Sequence, residues 1–334
     1  MRAKNSAAVI GAGVAGLACA AVLAGAGLEV MIYDKGSHPG GRIATRRAGG
    51  VNFDHGAQFV AARNKPFRAA LAAMSSAGII RPWIAAMADG ATRFSGVPDM
   101  AAVGAGMAAT AEGAGANIVM DRQVCFLHDT AHGWSLRHLP AKLIAPGTVA
   151  DAGDAAGPFD MVVLAIPAPQ AVPLLGTAGH RFARPAARAA YAPCLAVMTA
   201  FDDRVEAEDV QQPSTGPLAW VARDSGRPGH APLPDAWMLH ATPEWSRANL
   251  EKPKASIAPV LLAAFRSLTG AAGEPMHLST HRWRHARVTE ALGQPCLWDA
   301  DGGVGLCGDW CLGPRVEAAY ESGLALASAA LART

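Results

Sequence analysis

Hydrophobic positions along the chain fall into blocks with distinct periods. Near the N-terminus an unbroken apolar run, Ala7-Ala8-Val9-Ile10, gives way to Gly11-Ala12-Gly13-Val14-Ala15-Gly16. An Ala-rich stretch follows to Gly27, and Glu29-Val30-Met31-Ile32-Tyr33 then ends in Asp34. Short apolar runs bounded by glycine predict strands, and the Ala-rich stretch predicts a helix between them. Phe67, Leu71 and Met74 recur at helical spacing behind Asn64-Lys65-Pro66, so a helix is expected over 64–77. A second is expected over 100–112. Segments 116–120, 123–128 and 133–139 read as short strands joined by tight turns. The continuous apolar segment 159–166 reads as a strand buried in a parallel sheet, ended by Pro167-Ala168-Pro169. Beyond it, 195–201, 218–222 and 236–240 alternate or run apolar like strands of a mixed sheet, and 254–268 reads as a helix. Near the end, Val304-Gly305-Leu306-Cys307 predicts a buried strand closing on Gly308-Asp309. The stretch 310–314 predicts a turn, and a helix is expected to open near Arg315 and run to Leu331.

The first block has chemistry in it. Strand, glycine turn, helix, strand and acid is the order of a dinucleotide-binding βαβ unit. Gly11 suits the tight turn, Gly13 lets backbone approach a pyrophosphate, and Gly16 lets helix and strand pack closely. The N–H groups that open the helix, past Ala15, face phosphate, and Asp34 with Lys35 stands where ribose hydroxyls would be held. A ligand-free βαβ unit is the bland alternative.

Two further segments point to a flavin. Gly40-Gly41-Arg42 follows the second strand, where an NAD-dependent dehydrogenase has no need of it. In a flavoprotein Gly41 passes close to the cofactor, and the Arg42 guanidinium offers forked donors to phosphate. At the far end, Gly308 and Asp309 would meet the ribityl chain. The N–H groups near Arg315 and Val316 would stabilise negative charge at the pyrimidine edge.

With these segments in place, the sequence resembles the FAD-dependent amine oxidase superfamily and, within it, bacterial renalases. The likeness runs nearly end to end. It is carried by Asp34-Lys35, Gly40-Gly41-Arg42, Asp54-His55-Gly56-Ala57-Gln58-Phe59 with Ala62-Arg63, and Trp220-Val221-Ala222-Arg223. It continues through Trp237-Met238-Leu239-His240-Ala241-Thr242, His281-Arg282-Trp283 and Gly308-Asp309-Trp310-Cys311-Leu312. The resemblance implies an α/β fold with a Rossmann-like FAD-binding domain of glutathione reductase or amine oxidase type and an interleaved mixed-sheet α+β substrate domain. It assigns 1–64, 96–168 and 288–334 to FAD, held non-covalently, and 65–95 and 169–287 to substrate. It adds Gln58, Phe59 and the Val124 backbone to the cofactor contacts. Phe59, Arg63, Trp220, Arg223 and His240 become candidate substrate contacts, with Trp237, Trp245 and Trp283 as further cavity walls. The implied reaction oxidises 2- and 6-dihydro-NAD(P) isomers to NAD(P)+ by hydride transfer to flavin N5, with O2 reduced to H2O2. No residue is needed as acid or base, because a dihydropyridine becomes aromatic on losing hydride. The sequence departs from the family at Pro98-Asp99-Met100, at Arg284-His285 where an aromatic is usual, and at Pro314.

Composition narrows the classes. The chain has 334 residues, 51% of them hydrophobic, but much of that is Ala. No apolar run reaches the ~18 residues of a membrane span. A formal net charge of +2 gives no reason to expect a nucleic-acid partner. The cationic residues ahead of the first apolar run imitate a signal peptide, but the glycines and acid make it the nucleotide-binding unit. Six scattered cysteines read as buried thiols of a reducing, cytoplasmic compartment. The pair His281 and His285 reads as packed or solvated, with no metal ligand set beside it. An amine oxidase for a small amine, a flavin sensor without turnover and a carotenoid-type desaturase are the alternatives. Tyrosine scarcity argues against the first and the lack of a basic amphipathic helix against the last.

Overall fold

The computed structural model describes residues 6–87, 91–145 and 153–332. The chain packs as two compact units that alternate along the sequence. The first takes 1–41, 104–190 and 288–334, the second 42–103 and 191–287.

Residues 1–41 contribute β1 (Ser6–Ile10), α1 (Val14–Gly25) and β2 (Glu29–Tyr33). The second unit then begins with the hairpin β3 (Arg46–Ala48) and β4 (Val51–Phe53), followed by α2 (Lys65–Ser76) and the hairpin β5 (Ile80–Pro82) and β6 (Phe94–Gly96). Helix α3 (Ala101–Gly113) straddles the next junction. After it come β7 (Asn117–Val119), β8 (Arg122–Thr130), β9 (Gly133–Pro140), β10 (Asp154–Phe159), β11 (Met161–Leu164), α4 (Ala168–Thr177) and the short α5 (Ala183–Ala186). The second unit resumes with β12 (Ala190–Phe201), β13 (Val210–Gln211), β14 (Leu218–Arg223), β15 (Asp235–Ala241), α6 (Pro243–Asn249), α7 (Lys254–Thr269) and β16 (His277–Glu290). The chain closes with β17 (Leu297–Asp299), β18 (Val304–Leu306), the one-turn α8 (Asp309–Leu312) and α9 (Val316–Leu331).

In the first unit the sheet order is β17-β18-β11-β1-β2-β7. Strand β1 runs parallel to β2, from Ser6 opposite Glu29 to Ile10 opposite Tyr33, and parallel to β11 on its other side. Only β17 is antiparallel to its neighbour, so the sheet is mixed. Ala7, Ala8 and Val9 are fully buried, as a strand covered on both faces requires. Helix α1 is Ala-rich because it packs closely against β1 and α9. A Cβ on Gly323 of α9 would lie 2.2 Å from the Ala15 carbonyl oxygen, so only glycine permits the contact.

In the second unit the sheet order is β13-β14-β15-β12-β16, and the resolved pairings among β12 to β15 are antiparallel. Both faces of β12 are buried with a period of two. Leu195 and Val197 face α7, which brings Ile257, Leu261 and Phe265. Ala196, Met198 and Ala200 join a second cluster with Val51 and Phe53 of the β4 hairpin. That second contact seats the hairpin, and with it the segment 54–59, on the sheet.

Three elements depart from the sequence expectation. Residues 309–312 form a helical turn. Pro167-Ala168-Pro169 starts α4 as well as ending β11, because proline is tolerated in a first helical turn. Strand β16 is long, yet its His- and Arg-rich sequence lacks an apolar alternation. Among the described residues no helix is long and apolar enough to cross a membrane.

Candidate functional site

In the first unit the glycine turn has the shape expected for a dinucleotide. Gly11 has φ +111° and donates its N–H to the Tyr33 carbonyl, and a Cβ on Gly16 would lie 1.9 Å from the Gly11 oxygen. Gly13 differs. Its backbone is extended, φ −79° and ψ 177°, and nothing lies within 4 Å of a Cβ built on it. The protein's own packing therefore gives no reason for glycine there, whereas a phosphate approaching the backbone does. No side chain caps α1 at Gly13, so its first N–H groups, at Val14, Ala15 and Gly16, suit an anion. Asp34 lies at the end of β2. Its two carboxylate oxygens accept the N–H groups of Ala12 and Gly36, each at 2.6 Å, and each oxygen keeps capacity for a ribose hydroxyl. Lys35 is exposed beside it. Gly40 pairs with Gly13 in an isolated bridge, and Gly41 adopts φ +59°. Val124 is buried in β8 at a register shift opposite β9. These residues fit an adenine dinucleotide.

At the other end of the same unit Gly308 donates its N–H to the Ser322 hydroxyl at 2.9 Å, and Asp309 is buried at the start of α8. Arg315 is the N-cap residue of α9 with extended backbone and no side-chain cap, and Val316 opens the helix. The exposed N-terminus of a helix of this length carries partial positive charge.

In the second unit the segment 54–59 is held by a buried network of charges. Asp54 accepts the Thr45 hydroxyl at 2.5 Å, the Met100 N–H at 2.9 Å and the Arg227 guanidinium at 3.0 Å. Asp224 accepts the Asp54 N–H at 2.9 Å and lies 2.7 Å from Arg227. Arg227 also donates to the Gln58 carbonyl at 2.6 Å and stacks 4.1 Å over the Trp83 ring. Burial raises the Asp224 carboxyl above the ordinary carboxylate range, opposed by Arg227. Sequence reasoning missed Arg227 and Asp224, since no local pattern marks either as paired with Asp54.

The candidates on this segment come together. The Gln58 amide accepts from the Trp220 indole and donates to the Asp54 carbonyl. Phe59 lies 6.1 Å from Trp220, with the Arg93 guanidinium 4.5 Å over its ring. Beside them, the His55 carbonyl accepts the Trp283 indole at 2.8 Å and faces His240 Nε2 at 3.3 Å. His55 stacks on Trp283, and His281 meets both rings. Burial, then the His281 and Arg46 charges, lowers His55 to about 3. Burial lowers His240 and His281 to about 4 each. All three are neutral imidazoles at neutral pH.

The expectations for Arg223 and Trp237 need correction. Arg223 is fully buried and spends its donors on Asp209, Asp235 and the carbonyls of Val205 and Ala207. It is a structural ion pair stacked on Trp237, not a substrate contact. Trp237 is equally buried and walls no cavity, and Trp245 is partly buried against the same core. The Arg42 guanidinium lies 3.4 and 3.3 Å from the carbonyls of His285 and Ala286 on β16. Arg63 is exposed just before α2. His285 meets Tyr191, apart from the His281 group, and no metal-ligating cluster occurs among the described residues.

Residues 9–73 match the NAD(P)-binding Rossmann-like domain, and residues 142–331 match the flavin containing amine oxidoreductase family. The chain is also similar to solved structures. A putative protoporphyrinogen oxidase from Exiguobacterium sp. 255-15 gives a TM-score of 0.71 at 13% identity over 100% of both chains. An oxidoreductase from Methanosarcina mazei gives 0.63 at 14% identity over 98% of this chain and 100% of that one. Wild-type putrescine oxidase bound to putrescine gives 0.64 at 13% identity over 98% and 99%. At these identities the likeness speaks for the fold.

Proposed function

Since the chain belongs to the flavin containing amine oxidoreductase family, and is thereby an FAD-dependent oxidoreductase, we propose that it is an oxidase of renalase type. In this reading it returns dihydronicotinamide isomers, reduced at ring position 2 or 6, to NAD(P)+ while O2 becomes H2O2. The division of the chain into 1–64, 96–168 and 288–334 for cofactor and 65–95 and 169–287 for substrate is part of the same proposal. FAD, when bound, supplies the hydride acceptor.

The chain's own residues bind and orient. The α1 N-terminus and Gly13 receive the pyrophosphate, Asp34 the ribose, Asp309 the ribityl chain, and the Arg315–Val316 N–H groups negative charge at the ring edge. The observation that carries the substrate reading is the 54–59 segment with its partners. It offers flat rings (Phe59, Trp220, Trp283, His55) and imidazoles held neutral. A dihydropyridine needs stacking walls and fixed dipoles rather than proton transfer. His240 acts here by holding the His55 carbonyl, and so by placing Gln58 and Phe59.

Oxidation of a small amine is the second reading, favoured by the family match. Anaerobic mixing separates the two. Rapid flavin bleaching is expected with 2- or 6-dihydro-NAD(P), and slow or no bleaching with ordinary 4-dihydro NADH, benzylamine or a polyamine. Catalytic bleaching by an amine but not by the isomers would replace the first reading with the second.

A further inference from the structure

The second unit also carries a cationic cluster that the hydride-transfer reading leaves unused. Arg46 projects from β3, Lys254 opens α7, and His277 and His281 lie on β16. The Arg46 guanidinium is 3.3 Å from His281 Nδ1. A guanidinium only donates, so Nδ1 accepts and the His281 proton sits on Nε2, free to donate onward. His277 stacks on Phe53 at 5.1 Å, and His281 meets His55 edge-on at 4.6 Å. The His55 Nδ1 atom is buried without a hydrogen-bond partner.

The charge around these rings has one sign. Besides burial, the charges that lower His277 and His281 are Arg46 for both and Lys254 for His281, and no carboxylate acts on either. Among the described residues neither Arg46 nor Lys254 has an ion-pair partner. A planar guanidinium against an imidazole, with the start of α7 bonded to β16 through the Lys254 carbonyl, the Lys254 charge felt at His281 and no acid paired with either cation, matches a multi-oxygen anion better than a single carboxylate.

We propose that Arg46, Lys254, His277 and His281 form a subsite for the phosphoryl groups of a nucleotide substrate. The assignment rests on the dinucleotide reading of the substrate above. It gives the chain a means of preferring dinucleotides to bare amines, and it sets a phosphate-bearing tail beside the His55 and Trp283 rings.

The test uses the FAD-loaded full-length protein with 15N-labelled histidine, titrated with inorganic pyrophosphate at constant ionic strength. Saturable shifts of the His277 and His281 imidazoles are expected, with their pKa values rising, because a bound anion favours imidazolium. Arg46→Gln and Lys254→Gln should each weaken pyrophosphate about tenfold, and Arg46→Lys should recover part of the loss. In kinetics, Arg46→Gln should raise KM for the dihydro dinucleotide and leave KM for the phosphate-free dihydronicotinamide riboside unchanged. If the isomers fail to bleach the flavin while pyrophosphate still moves both imidazoles, the activity reading falls and the subsite stands. Isomers that bleach normally, with pyrophosphate leaving both imidazoles unmoved or binding both variants as tightly as wild type, overturn the subsite. Lys254 is exposed at a helix start, so its variant keeps the test decisive if Arg46→Gln unfolds.

Discussion

Single residues separate what the fold needs from what the ligand needs. Gly16 and Gly13 belong to one motif and look equivalent in sequence. A Cβ at Gly16 strikes the Gly11 carbonyl oxygen at 1.9 Å, whereas a Cβ at Gly13 meets nothing within 4 Å. Gly16→Ala is therefore expected to unfold or distort the turn. Gly13→Ala should leave the melting transition within about 1 kcal/mol of wild type, the usual size of a helix-cap change, and still abolish FAD uptake. Thermal melts of the apoprotein with FAD titration check both, and a Gly13→Ala protein that takes up FAD normally would remove the phosphate from that place. At this scale the sequence was a good guide wherever backbone geometry dictated residue type, as at Gly11 and Gly16. It failed where long side chains choose among partners. Arg223 and Arg227 are four residues apart, and nothing in the pattern says that the first neutralises Asp209 and Asp235 while the second holds Asp54 and the Gln58 carbonyl.

At the level of elements, the segment 54–59, β15 and β16 share a group of imidazoles that folding keeps uncharged. His55 is lowered to about 3, and His240 and His281 to about 4, chiefly by burial. The unfolded chain takes up these protons near pH 6.5, so it binds more protons than the folded one between about pH 6.5 and 4. Stability should then fall as pH falls through that window. Asp224 works in the opposite direction. Its raised carboxyl holds a proton in the fold at pH values where the unfolded chain has lost it, so its contribution is present at low pH and is lost as pH rises through about 7. Three imidazoles against one carboxyl leave a net loss on acidification. Urea unfolding at pH 7.5 and pH 5.0 should show it, with a shallower slope for His281→Gln. Equal stability at both values would mean that water reaches these rings. The sequence made the apolar strands of the second sheet legible but not β16. Its His281 meets the Arg46 guanidinium and the His55 ring, and polar contacts of that kind leave no hydrophobic period.

On the scale of the whole molecule, neither packing unit is encoded by one stretch of chain. Three of the four junctions between them fall inside α3, β12 and β16. The sequence showed this interleaving only as a lack of linkers, because a chain that changes units within a strand or helix needs none. The arrangement of the first sheet also sets a timetable for biosynthesis. β1, α1 and β2 leave the ribosome well before β18 and α9. The backbone of α1 at Ala15 approaches Gly323 so closely that no other residue fits there. At about 5–20 residues per second, the nascent N-terminal βαβ unit waits tens of seconds for its partners, with an apolar strand and an Ala-rich helix exposed. A chain stopped after Leu312 should therefore emerge able to form β1, α1 and β2 but not to cover them. It is expected to collect in the insoluble fraction, and added FAD should not recover it. Full-length protein made with and without a holdase chaperone should show the same vulnerability as a difference in soluble yield. The nucleotide-binding βαβ unit of this enzyme is translated long before it can be finished.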